Sequence, residues 1–70
     1  SAATVVLNAA NEIAVAAFLK GRIHFPDIAG SVVRALETMT EPDPHSIDDV
    51  VALDRRARAL ATEILVRIAA

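Results

Sequence analysis

Chemistry in this 70-residue chain would have to come from two histidines, nine carboxylates, seven basic side chains and a few hydroxyls and amides; there is no cysteine. Zinc takes three or four ligands at short local spacings. His24 and His45 lie in separate connectors without such company, so both read as solvated or capping side chains. The stretch EPDPHSIDD gathers Glu41, Asp43, Asp48 and Asp49. A calcium loop alternates its acidic ligands, turns at a central glycine and ends in glutamate. This stretch does none of these and reads as a solvated acidic rim, with two of its acids explained by a helix start. Ser46 has no glycine-rich nucleophile elbow around it and reads as a cap. Arg55, Arg56 and Arg58 could suggest an anion site. Asp54 stands beside them and the chain has few aromatics on which bases could stack, so a solvated helix face is the expectation. Gly21 and Gly30 are the only glycines and form no phosphate-binding loop. From residue chemistry, no catalytic, cofactor-binding or metal-ligating residue is expected.

One constellation remains. In VLNAANEIAVAAFLKGRI, Asn8, Asn11 and Glu12 interrupt a run of alanines and aliphatics. On a helix, positions i, i+3 and i+4 are neighbours, so the three form a polar stripe. A buried polar group without a partner costs about 1–3 kcal/mol. Amides and carboxylates can accept hydrogen bonds from the free N–H groups at another helix's start. Asn8, Asn11 and Glu12 are therefore expected to form a structural hydrogen-bond stripe that locks other backbone ends onto this helix. The alternatives are a ligand site, which needs a pocket, or a face turned toward a partner domain.

The elements that must position these groups are helical. The first helix is expected over Thr4–Lys20, because Val6, Ala10, Ile13 and Ala17 continue one periodic line, Lys20 suits the negative end of the dipole and Gly21 suits the position just past the end. The second is expected over Pro26–Met39. Proline fits a first-turn position, Asp27 complements the positive end, and Ile28, Val32, Leu36 and Met39 recur at helical spacing. Gly30 implies a close crossing or simple tolerance. TEPDPH reads as a loop. The third helix is expected over Ile47–Ala69, capped by Ser46 with Asp49 three residues later, with Asp54–Arg58 and Glu63–Arg67 as i,i+4 pairs. A break at Asp54 would give a fourth helix. The expected fold is all-α, a small bundle of three to four helices. Its core is expected to include Ala10, Ile13, Ala17, Ile28, Val32, Leu36, Val50, Leu53, Leu60 and Ile64.

Seventy residues is one small domain near the lower limit for an unaided core. The charge of −2 argues against nucleic acid as a partner. No apolar stretch is expected to reach the length of a membrane span, no membrane partner is expected, and no signal peptide is evident. The hydrophobic fraction of 54% exceeds the usual ~45–50%, through alanine content or through a missing partner surface.

The segment LNAANEIAVAAFLKGRIHFPDIAGSV resembles the C-terminal region of the 1-deoxy-D-xylulose 5-phosphate reductoisomerases. That family carries NAANE-(V/I)-AV-AAFL, then R-I-x-F-(T/P)-x-I, an S-x-x-D-V helix start and a D-x-x-A-R element. These stand here at Asn8 to Leu19, Arg22 to Ile28, Ser46 to Val50 and Asp54 to Arg58. The resemblance runs from about Val6 to Ile68, and NAANE is its specific part. Pro26 stands where threonine is common in the family. The resemblance implies a cytoplasmic, bacterial enzyme (plastid for some members) that uses NADPH and Mg²⁺, Mn²⁺ or Co²⁺. Such an enzyme converts 1-deoxy-D-xylulose 5-phosphate to 2-C-methyl-D-erythritol 4-phosphate in the non-mevalonate isoprenoid pathway. It also implies a homodimer with upstream nucleotide-binding and catalytic domains, of which this chain matches only the helical end. None of its residues matches the family's metal, substrate or nucleotide motifs, so the domain alone is expected to be inactive. The absent initiator methionine is expected for a domain cut from a longer chain, and RIAA resembles the natural end of such an enzyme. A freestanding helical interaction module is the other reading.

Overall fold

Three helices account for the fold, and the computed structural model describes all 70 residues. They are α1 (Ala2–Leu19), α2 (Pro26–Thr38) and α3 (Ile47–Ala69). There is no strand, and Ile28–Thr38 is helical as its spacing implies.

The helix ends follow local chemistry. α1 begins two residues earlier than the periodicity suggests, because Ser1 serves as its cap: the Ser1 Oγ accepts from the Thr4 N–H at 3.3 Å. A second acceptor comes from far along the chain, since Asp43 Oδ1 receives the Ala2 N–H at 2.9 Å. α1 closes in a Schellman motif. Gly21 takes φ +72°, the Arg22 N–H donates to Ala17 C=O at 3.0 Å and the Gly21 N–H to Phe18 C=O at 2.9 Å. α2 begins at Pro26 through a reciprocal pair. The Asp27 N–H donates to the His24 carbonyl at 2.9 Å and Asp27 Oδ2 accepts the His24 N–H at 2.8 Å. It ends at Thr38, one residue short of expectation, where Met39 turns extended ahead of the proline-rich connector. α3 runs unbroken through Asp54 for 23 residues. Ser46 Oγ accepts the Asp49 N–H at 3.0 Å, while Asp49 Oδ2 accepts from the His45 N–H at 3.1 Å.

The helices meet along seams of alanine. α1 packs on both others, most extensively on α3. The main cluster joins Val6, Ala9 and Ala10 of α1 to Val32 and Ala35 of α2 and to Leu53, Ala57, Ala61 and Ile64 of α3. A smaller cluster at the far end joins Ala14, Ile23 and Leu65, flanked by an edge-to-face contact of Phe18 and Phe25 with centroids 5.6 Å apart. Ser31, fully buried, is satisfied by donating to Ile28 C=O at 3.0 Å. Of the expected core, Ala10, Val32, Leu53 and Ile64 are buried. Ile13, Ala17, Ile28, Leu36 and Leu60 are half-buried and line its edge. Val50 is exposed, contrary to expectation. Alanines supply six of the ten buried residues of the main cluster, and Ile13, Leu36 and Leu60 pack against it from its edge.

Two further expectations are corrected. Glu63 and Arg67 form no ion pair, whereas Asp54 and Arg58 do, at 2.8 Å. α1 is also apolar enough over 18 residues, at mean hydropathy 1.6, to meet a membrane-span criterion by length and composition. Its alanines, valines and leucines outweigh one carboxylate and two amides. Yet only 28% of it is buried.

Candidate functional site

Among the residues with catalytic or ligating types, Glu41, Asp43, His45, Asp49 and Arg56 line one recess, and the others lie apart. His24 and His45 are exposed, and no three histidine or acidic side chains converge to hold a metal ion. The acidic rim is divided among structural tasks. Glu41 accepts from Arg56 at 2.6 Å, Asp43 ties the connector to the start of α1, and Asp49 caps the approach to α3. The Asp43 role was beyond sequence reading, because its partner lies 41 positions away. The arginine cluster is likewise divided. Arg56 turns to Glu41. Arg58 Nε donates to Asp54 at 2.8 Å and its Nη2 to Glu12 at 2.8 Å. Donating hydrogen bonds to Asp54, and then to Glu12, raises the Arg58 guanidinium above its ordinary pKa.

Besides a recess of about 240 Å³ at the connector before α3, where Glu41, Asp43, His45, Asp49 and Arg56 meet, there are two larger concavities. A cleft of about 330 Å³ between α2 and α3 is lined by Arg34, Thr38, Leu60, Glu63 and Arg67. A groove of about 480 Å³ runs between the C-terminal halves of α1 and α3, past Ile13, Ala17, Ile23, Leu65 and Val66. The hydroxyls that line them bond their own helix backbone, Thr38 donating to Arg34 C=O and Thr62 to Arg58 C=O. A dinucleotide's pyrophosphate binds a glycine-rich turn at a free helix N-terminus. Here each helix start already faces a carboxylate: Asp43 at α1, Asp27 at α2, and Asp48 and Asp49 at α3. These residues do not fit NADPH, and the scattered carboxylates do not fit a catalytic divalent cation.

The polar stripe of α1 lies elsewhere than expected. Asn8, Asn11 and Glu12 are all exposed. Neither asparagine side chain makes a hydrogen bond, and Glu12 bonds Arg58 rather than any backbone end. Within the bundle, the helix ends are served by Ser1, Asp27, Asp43, Ser46 and Asp49. The stripe therefore does not lock this bundle. The cause is rotational: Val6, Ala9, Ala10 and Ala14 take the inward arc, which turns positions 8, 11 and 12 outward.

Comparison with known proteins supplies the context. Residues 1–60 match the family described as the DXP reductoisomerase C-terminal domain. The 1-deoxy-D-xylulose 5-phosphate reductoisomerase of Shewanella frigidimarina (strain NCIMB 400) is 52% identical over 63 residues, covering 90% of this chain and 16% of the relative. The enzyme of the same name from Nocardia farcinica (strain IFM 10152) is 50% identical over 64 residues, covering 89% of this chain and 16% of the relative. That of Blochmanniella pennsylvanica (strain BPEN) is 47% identical, covering 91% and 16%. The chain thus spans about one sixth of the length of these relatives.

Proposed function

Because the chain belongs to the DXP reductoisomerase C-terminal domain family, we propose that it is the helical, non-catalytic domain of a reductoisomerase polypeptide. The whole polypeptide converts 1-deoxy-D-xylulose 5-phosphate to 2-C-methyl-D-erythritol 4-phosphate in the cytoplasm, with NADPH and a divalent cation held by its other domains, and works as a homodimer. The observation that carries this is the alignment of 90% of the chain with only 16% of a relative at 52% identity. The division of labour is supported by what the polar groups do here. Asp27, Asp43 and Asp49 at the helix starts, and Glu41, Asp54 and Glu12 in the Arg56 and Arg58 pairs, already have structural partners.

The test titrates NADPH into residues 1–70, following its fluorescence and the amide NMR shifts, beside turnover by the whole polypeptide. The isolated domain is expected to give no saturable response, while the whole polypeptide consumes NADPH with substrate. Saturable binding to the domain at micromolar NADPH, or a whole polypeptide without turnover, overturns the proposal.

A further inference from the structure

We infer that the outer face of α1, formed by Leu7, Asn8, Asn11, Val15 and Leu19, is the surface on which the remainder of the polypeptide docks. The inference rests on the reductoisomerase reading above and adds to it the face through which this domain is held.

The first observation is charge. Of seven basic and nine acidic residues in the chain, α1 holds only Glu12, and Arg58 already binds it. The other helices also expose apolar side chains, among them Val33, Ile47 and Val66, but there they alternate with exposed charges: Arg34 and Glu37 on α2 and Arg55, Arg56, Glu63 and Arg67 on α3. The second is apolar exposure. Leu7 is 43% and Leu19 76% exposed on this face, on the most apolar helix of the chain. The third is the pair of free amides. Asn8 and Asn11 each offer two donors and two acceptor lone pairs, and nothing in the bundle uses them. Apolar side chains with a few unclaimed amides and little charge make up the composition of a buried interface core. The accessible surface of 4647 Å² also exceeds the roughly 4200 Å² of a compact chain of this mass.

Three occupants are conceivable, and the observations favour one. α1 presents an outer face about 27 Å long and roughly 10 Å wide. That is well below the ~800 Å² per partner of a standard interface between separate molecules. A second copy must meet the full association cost with this stripe, whereas a tethered segment meets little of it. The face has almost no charge with which to steer a diffusing partner. Lipid is a poor occupant because its tails offer the amides no hydrogen bond, and the Glu12–Arg58 pair lies beside them. The chain spans 16% of each relative, so most of the polypeptide is at hand to cover the face. Its groups then accept and donate to Asn8 and Asn11.

The experiment uses the whole polypeptide. Hydroxyl-radical footprinting of the unsubstituted protein compares Leu7 and Leu19 in the native and urea-unfolded states. Protection of at least about five-fold is expected at both, as for water-excluded interface positions. Asn11→Cys carrying a photo-crosslinker then identifies the occupant. A crosslink within one chain to a peptide outside residues 1–70 supports the inference. Leu7 and Leu19 modified as freely as in urea, a crosslinked species of twice the monomer mass, or capture of lipid from added vesicles of mixed acidic and neutral phospholipid each overturns it. Turnover of the same samples separates the two proposals. An active enzyme with α1 exposed refutes the docking face alone. An inactive polypeptide with α1 protected refutes only the functional reading.

Discussion

The two glycines allow one substitution to be tested with opposite signs. Gly30 sits inside α2 on its exposed side with helical backbone, and a Cβ built there meets no heavy atom within 4 Å. Alanine there adds no clash and no large buried area, so only backbone entropy and propensity change. Gly30→Ala should stabilise the domain by about 0.5–1 kcal/mol. For a chain of this size that is a rise of about 3–7 °C in melting temperature. Gly21 has equal room, yet its φ of +72° closes the Schellman motif. A Cβ in the left-handed region costs about 1–2 kcal/mol, partly offset by a stiffer unfolded chain. Gly21→Ala should therefore destabilise by about 1 kcal/mol, a fall of about 4–8 °C. Thermal and urea melts of residues 1–70, followed by helical circular dichroism, read both. Shifts of the same sign, or a Gly30→Ala variant no more stable than the parent, would refute the reasoning, because free volume and dihedral angle would not then be what distinguishes the two sites.

Three further outcomes are expected from the same melts. Val6→Ala empties the most enclosed large side chain of the main cluster, and should cost about 2 kcal/mol; a loss below about 0.5 kcal/mol would mean the seam repacks. Asp43→Ala removes the long-range acceptor at the start of α1 and should cost about 1 kcal/mol, with Asp43→Asn recovering most of it. Asn11→Leu should leave the isolated domain within about 0.5 kcal/mol of the parent, since the side chain bonds nothing there; a loss of 1–3 kcal/mol would restore the stripe as an internal lock.

Much of this was legible locally. Pro26, Gly21, Ser46 and Asp49 act at the helix ends where their backbone chemistry places them, because capping is settled within a few residues. Helical spacing separated three helices, and the unbroken apolar line through Leu53, Ala57 and Leu60 carried α3 past Asp54. Less legible was which side of each helix turns inward. On α1 the apolar residues extend most of the way round, so periodicity leaves the inward arc ambiguous. Assigning the stripe of Asn8, Asn11 and Glu12 to the interior was the outcome of that ambiguity.

The sequence by itself determined the helical class, the caps at Gly21, Pro26 and Ser46 and the membership in a reductoisomerase family, because these depend on local backbone chemistry and on the run NAANE. Only the tertiary structure decided that Ala9, Ala35, Ala57 and Ala61 are buried in the core while Val50 is exposed. It also decided that Asp43 holds the start of α1, that Arg58 joins Asp54 to Glu12, and that the two asparagines face outward. Those outcomes depend on the rotation and approach of whole helices. Such rotation is set by the summed packing of many small contacts, and no single spacing in the chain specifies it.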